Sequence, residues 1–105
     1  MIFLDTIYLI GLIFSTDANH LKSKQLSKKF SEERKAINNV VLIEVLNSLD
    51  NYKFKLNDND VFECLLKLDY IDILNKEDYM FSFNIFEYYD KSINYSDCTS
   101  LKLCL

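Results

Sequence analysis

The sequence has almost nothing with which to turn tightly. Its 105 residues include one Gly, no Pro and no Trp. That scarcity excludes an all-β sandwich or barrel, whose hairpins lean on Gly and Pro for special backbone angles. A lone Gly11 also excludes the glycine-rich loops that cradle nucleotide phosphates. The one His, His20, has no Ser or Cys partner pattern and reads as a surface residue in a polar helix start. The three cysteines, Cys64, Cys98 and Cys104, are odd in number and form no C-x-x-C pair. Neither a disulfide scaffold nor a zinc site fits that pattern, and a reducing, cytoplasmic compartment is the expectation. A formal net charge of −4 leaves no basic stripe of the kind that grips nucleic acid by neutralising many phosphates. Long apolar runs are missing too. The opening MIFLDTIYLIGLIF carries Asp5, lacks a basic flank and a small-residue cleavage site, and is too short to span a bilayer, so it reads as core.

What is present suffices for one globular domain over residues 1–105, with 50% hydrophobic and 27% charged residues. Residues 2–4 are a short apolar run suited to a strand buried on both faces of a parallel sheet. Asp5 and Thr6 stop it and can cap a helix over 7–14, followed by a polar loop at 15–19 with Asp17 and Asn19 as helix-start signals. A second helix over 20–34 places Leu21, Leu26 and Phe30 inward and its lysines outward. A small strand at 36–37 precedes a third helix, capped by Asn38 or Asn39 and running to Leu49. Past the polar stretch 50–59, Val61, Phe62, Leu65 and Leu66 fall at helical spacing. Residues 70–74 alternate as a third strand, Asn75 caps a long helix through Tyr89, and a last helix runs from Asp97 to the end. The order β-α-α-β-α-α-β-α-α demands crossover connections, hence an α/β fold with a parallel sheet surrounded by helices.

In such a sheet ligands gather at the carboxyl ends of the strands. Asp5 ends the first strand inside an apolar run, where a carboxylate is costly to bury unless it is bonded, paired or bound to metal; capping the next helix is an equal alternative. Glu44 lies in the apolar helix V-V-L-I-E-V-L-N, on an arc with Asn47 and Ser48 that, taken alone, reads as a solvated face ahead of a ligand position. Asp97 follows Ser96 at a helix start, where the helix dipole favours a negative charge by about 0.3–1 kcal/mol. If all three meet at one strand edge, they make the all-oxygen pocket that Mg²⁺ or Mn²⁺ prefers. Lys22, Lys24, Lys28, Lys29 and Lys35 read as a solvated face, with RNA contact as the alternative. Tyr79, Phe81, Phe83, Phe86, Tyr88 and Tyr89 read as core plus a partner groove ahead of base stacking.

Three segments, M-I-F-L-D-T-I-Y-L-I, V-V-L-I-E-V-L-N-S-L and I-N-Y-S-D-C-T-S-L-K-L-C, resemble in order and spacing the acidic motifs of PIN-domain proteins, especially VapC-type toxins. The resemblance spans the whole chain. It implies a PIN-like three-layer α/β/α fold with three strands of a short parallel sheet, and a Mg²⁺- or Mn²⁺-dependent endoribonuclease. Asp5, Glu44 and Asp97 match the family's metal-holding, catalytic acids, and Thr6 matches a supporting position. RNA is then the substrate, and an antitoxin protein the expected partner of a toxin–antitoxin pair. A degenerate module that binds protein without catalysis is the other outcome. Ile7 stands where the family has a polar Asn or Ser, and Asn39 replaces a small hydroxyl residue. The sequence ends at Leu105, ahead of the family's last two strands and a fourth acidic residue. The expectation is therefore a truncated domain whose first strand presents an open apolar edge, covered in a dimer or higher homo-oligomer.

Overall fold

Parallel pairing of three short strands sets the architecture, because each strand must be reached through a helical crossover. In the computed structural model, which describes residues 1–51 and 58–104, the strands are β1 (Ile2–Phe3), β2 (Lys35–Asn38) and β3 (Tyr70–Asp72). They form one sheet in the order β1-β2-β3, in register Ile2 to Lys35 and Ala36 to Tyr70. Helices α1 (Thr6–Ile13) and α2 (His20–Lys29) cross from β1 to β2. From β2 to β3 the chain passes through α3 (Asn39–Asn47), a 3₁₀ turn (Ser48–Asn51) and α4 (Asp58–Leu66). Helices α5 (Lys76–Tyr88) and α6 (Tyr95–Cys104) follow β3. The result is a three-layer α/β/α fold. The polar stretch expected at 50–59 lies partly outside the described residues.

Caps explain where helices begin. Asp5, Asn38 and Asn75 each accept a hydrogen bond from the backbone N–H three residues on, satisfying a donor the helix itself leaves open. Asn75 and Asp78 close a reciprocal capping box. The core is built by Leu4, Leu9, Ile37, Val41, Val45, Val61 and Leu65, with Ile37 and Val45 wholly inaccessible. Gly11 allows α1 and α2 to approach closely, since a Cβ there would come within 2.5 Å of the Ser23 hydroxyl.

Several expected details are corrected. The second helix stops at Lys29 rather than Arg34, and the Lys35 ammonium donates to the Ser31 and Glu33 carbonyls beyond its end. Leu21, expected inward, is 70% exposed, while Leu26 and Phe30 are half-buried. Lys35 belongs to β2 and not to the helical lysine face. β3 ends at Asp72, which leaves Ile73 outside the sheet and exposed. Phe62 and Leu66 are exposed where Val61 and Leu65 carry the core side of α4. His20 is half-buried, its Nδ1 lying 2.8 Å from the Gly11 carbonyl oxygen, so it ties α2 to α1. The last helix starts at Tyr95 instead of Asp97. No helix among the described residues is long and apolar enough to cross a membrane.

These burials predict a contrast measurable by chemical denaturation. Ile37→Ala is expected to cost about 2–5 kcal/mol through the cavity it leaves, whereas Leu21→Ala is expected to stay within about 0.5 kcal/mol.

Candidate active site

All three strands point the same way, so their carboxyl ends share one rim, and the chain delivers Asp5, Asn38 and Asp72 there. Asp5 follows β1 in extended backbone and spends one carboxylate oxygen on the Tyr8 N–H at 2.8 Å. Thr6, the first residue of α1, donates its hydroxyl to Glu44 Oε1 at 2.9 Å. Glu44 is half-buried although Ile43 beside it is exposed and Val45 is wholly inside. The arc it shares with Ser48, one reading of which was a face open to water, is thus turned toward α1 and α6.

The third acid is held by α6. Asn94 Oδ1 accepts from the Ser96 N–H at 3.0 Å and from the Ser96 hydroxyl at 2.7 Å, fixing the start of the helix. That hydroxyl oxygen also lies 3.5 Å from Glu44 Oε2, a long contact, since its single proton serves Asn94. Asp97 follows in the first turn and is exposed. Glu44 therefore sits between Thr6 and Ser96, the chain neighbours of Asp5 and Asp97.

Asp5 and Asp97 line one cavity of about 530 Å³ along the open side of β1. The Ile2 and Leu4 N–H groups donate to the Arg34 and Ala36 carbonyls across β2, so the Phe3 peptide groups face the cavity side. Ile7, Leu26, Phe30 and Leu101 give its walls an apolar character. Among the described residues, no three His, Cys, Asp or Glu side chains are grouped closely enough to hold a metal ion. The donor chemistry, carboxylates and hydroxyls only, suits a hard divalent cation over a soft one.

Sequence reasoning did not find what anchors α6. Asn38, fully buried, accepts from the Val41 N–H and directs its amide at Thr99 Oγ1, 3.5 Å away. Thr99 donates to the Ser96 carbonyl at 2.6 Å. This buried polar chain joins the end of β2 to the turn that carries Ser96 and Asp97. The signal was present as Ser96-x-x-Thr99, which places both hydroxyls one helical turn apart. Beside it, burial and then the Asp97 charge push the Cys98 thiol up.

A family profile described as PIN domain matches residues 2–105. Neither a curated protein nor a solved structure matches the chain.

The cysteines offer a check on how α6 is seated. At pH 8 in native buffer, iodoacetamide should modify the exposed Cys64 and react with the buried Cys98 at least about tenfold more slowly, because the thiolate is the reactive form. Peptide mass spectrometry before and after denaturation measures this, and equal native rates would contradict the buried seating of α6.

Proposed function

Because the chain belongs to the PIN-domain family, whose members are in general divalent-metal-dependent nucleases acting on RNA, we propose that it is an endoribonuclease whose acidic site is Asp5, Glu44 and Asp97. The observation that carries this reading is the cavity shared by Asp5 and Asp97, with Glu44 bonded to the Thr6 hydroxyl and lying 3.5 Å from that of Ser96. Mg²⁺ or Mn²⁺ bound there would polarise a scissile phosphate and acidify a water. Asp5 and Asp97 supply oxygen ligands from the strand end and the helix start. Glu44 does not line the cavity, and it would join a metal there only by giving up the bond from the Thr6 hydroxyl. Lys22, Lys24, Lys28 and Lys29 are exposed on α2, the helix whose Leu26, with Phe30 just past its end, forms a cavity wall. Of these, Lys22 and Lys29 lie within about 60° of Leu26 around the helix, so their positive charge borders that wall and would draw a phosphate backbone toward it.

We further read the chain as the toxin half of a toxin–antitoxin pair. A segment of the antitoxin would lie against Leu26, Phe30 and Leu101 and occlude Asp5 and Asp97. The competing reading, a protein-binding module without catalysis, is favoured by the absence of a grouped three-ligand set among the described residues and by the exposed Ile7 at the mouth.

Cleavage of single-stranded RNA in Mn²⁺ or Mg²⁺, abolished by chelation, separates the two. Asp5→Asn should lower the rate by at least about a hundredfold while leaving stability nearly unchanged, since Asn caps a helix as well as Asp does. Glu44→Gln and Asp97→Asn should act in the same direction. An inactive parent chain, or an Asp5→Asn variant as active as the parent, would leave the binding module as the function.

A further inference from the structure

The acids at the carboxyl end of β1 occupy only part of the cavity beside that strand. β1 is an edge strand, and its ladder to β2 takes up the N–H groups of Ile2 and Leu4. The Phe3 N–H and C=O face the cavity and meet no hydrogen-bond partner among the described residues. Phe3 is half-buried, so a donor and an acceptor stand side by side in an apolar recess, where leaving them unmet is costly. The half-buried Phe30 ring bounds the same space, with the Lys29 ammonium 5.6 Å from its centroid. Lys35 lies at the far end of β1 from Asp5, since it pairs in register with Ile2. Its ammonium donates to two backbone carbonyls and keeps a third proton, and no carboxylate neutralises Lys29 or Lys35 among the described residues.

These parts match one ligand. An unpaired nucleobase presents an aromatic face and an edge carrying a hydrogen-bond donor beside an acceptor, and phosphates flank it on both sides. We propose that the cavity is a nucleotide subsite, in which one unpaired RNA base stacks on Phe30 and bonds through its edge to the Phe3 N–H and C=O. The phosphate on one side of that nucleotide then lies at the Asp5 and Asp97 end, and the phosphate on the other side lies at Lys29 and Lys35. From Ile2 to Asp5 the strand rises about 10 Å, which leaves room for a single nucleoside between the two. A volume of about 530 Å³ accommodates a base with its ribose. An added peptide strand is the poorer match, because β1 is two residues long and a strand ladder needs a longer run. The subsite rests on the ribonuclease reading for the phosphate at the acids, whereas the base contacts require no metal.

Fluorescence anisotropy of the full chain with a labelled oligouridylate, at low salt in chelator, reads binding without cleavage. A strand of the same length with abasic riboses should bind at least about tenfold more weakly, since stacking one base contributes about that factor. An oligomer of N3-methyluridine, whose edge lacks the N–H, should lose about five- to tenfold. Phe30→Leu keeps the apolar volume and removes the ring; it should cost about tenfold for oligouridylate and little for the abasic strand, while Phe30→Tyr should keep the affinity. Lys35→Met should weaken both strands alike and lower the salt dependence by about one phosphate contact. Crosslinking with 4-thiouridine and peptide mass spectrometry should mark Phe3, Tyr8 or Phe30. Circular dichroism checks that each variant keeps its helices. Equal affinity for the abasic strand, or crosslinks confined to other surfaces, overturns the subsite even if the chain cleaves RNA. No RNA binding below about 1 mM overturns it as well and leaves these walls to a protein segment. Base-dependent binding by a chain that never cleaves keeps the subsite and removes the catalytic reading instead.

Discussion

The parallel register of β1, β2 and β3 is the constraint from which the rest follows. Antiparallel strands could be joined by hairpins, and a chain with one Gly and no Pro is poorly supplied with hairpin turns. Parallel strands need helices between them, and the sequence is rich in apolar residues at helical spacing. The same register sends every strand exit to one rim, so a residue placed just after a strand arrives at a common edge whatever its distance in sequence. Asp5, Asn38 and Asp72 come together for that reason and no other. Each exit then meets the start of a helix, where unpaired N–H groups and the dipole make an acidic or amide side chain favourable.

Polar contacts then decide how the outer helices sit on that frame. Thr6 to Glu44 fastens α1 to α3, and a hydrogen bond to a charged group contributes on the order of 1–3 kcal/mol. The chain Asn38–Thr99–Ser96 does the same for α6, with Asn38 and Thr99 both sealed from water. Inside a protein such groups are costly if left unmatched, so they restrict the helix to seatings that satisfy them. Apolar packing alone would tolerate small slides of α6. Glu44 and the first turn of α6 take their placement from these few hydrogen bonds.

Much of this was legible beforehand because it depended on local rules. The element order, the parallel sheet and the caps at Asp5 and Asn75 follow from apolar periodicity and from residue types that satisfy helix ends. The surroundings of Glu44 were not legible, since α3 is apolar on several sides and periodicity could not say which side met α1 and α6. Leu21 misled for a related reason. Leu21 lies about 140° around the helix from Leu26 and opposite Phe30, so once Ser23 faces Gly11 and Leu26 is turned inward, Leu21 points to solvent. His20 read as surface because a hydrogen bond to the carbonyl of Gly11, nine residues earlier, leaves no mark on composition. Thr99 was visible as a residue and invisible as a partner, its counterpart Asn38 lying 61 positions away.

Helix α6 connects the two ends of the molecule that matter most. Its first turn carries Asp97 at the acidic cavity, its buried Thr99 is pinned to β2, and Leu101 lines both that cavity and the groove formed by Phe81, Ile85 and Tyr88 of α5. A rigid helix cannot shift at one place alone, so any force on the α5 groove acts on the same body that positions Asp97. The buried contact between Asn38 and Thr99 resists such a shift, because moving α6 would take Thr99 Oγ1 away from the buried Asn38 amide. That placement gives the aromatic hairpin of α5 and α6 a firm footing while keeping the acidic rim in register.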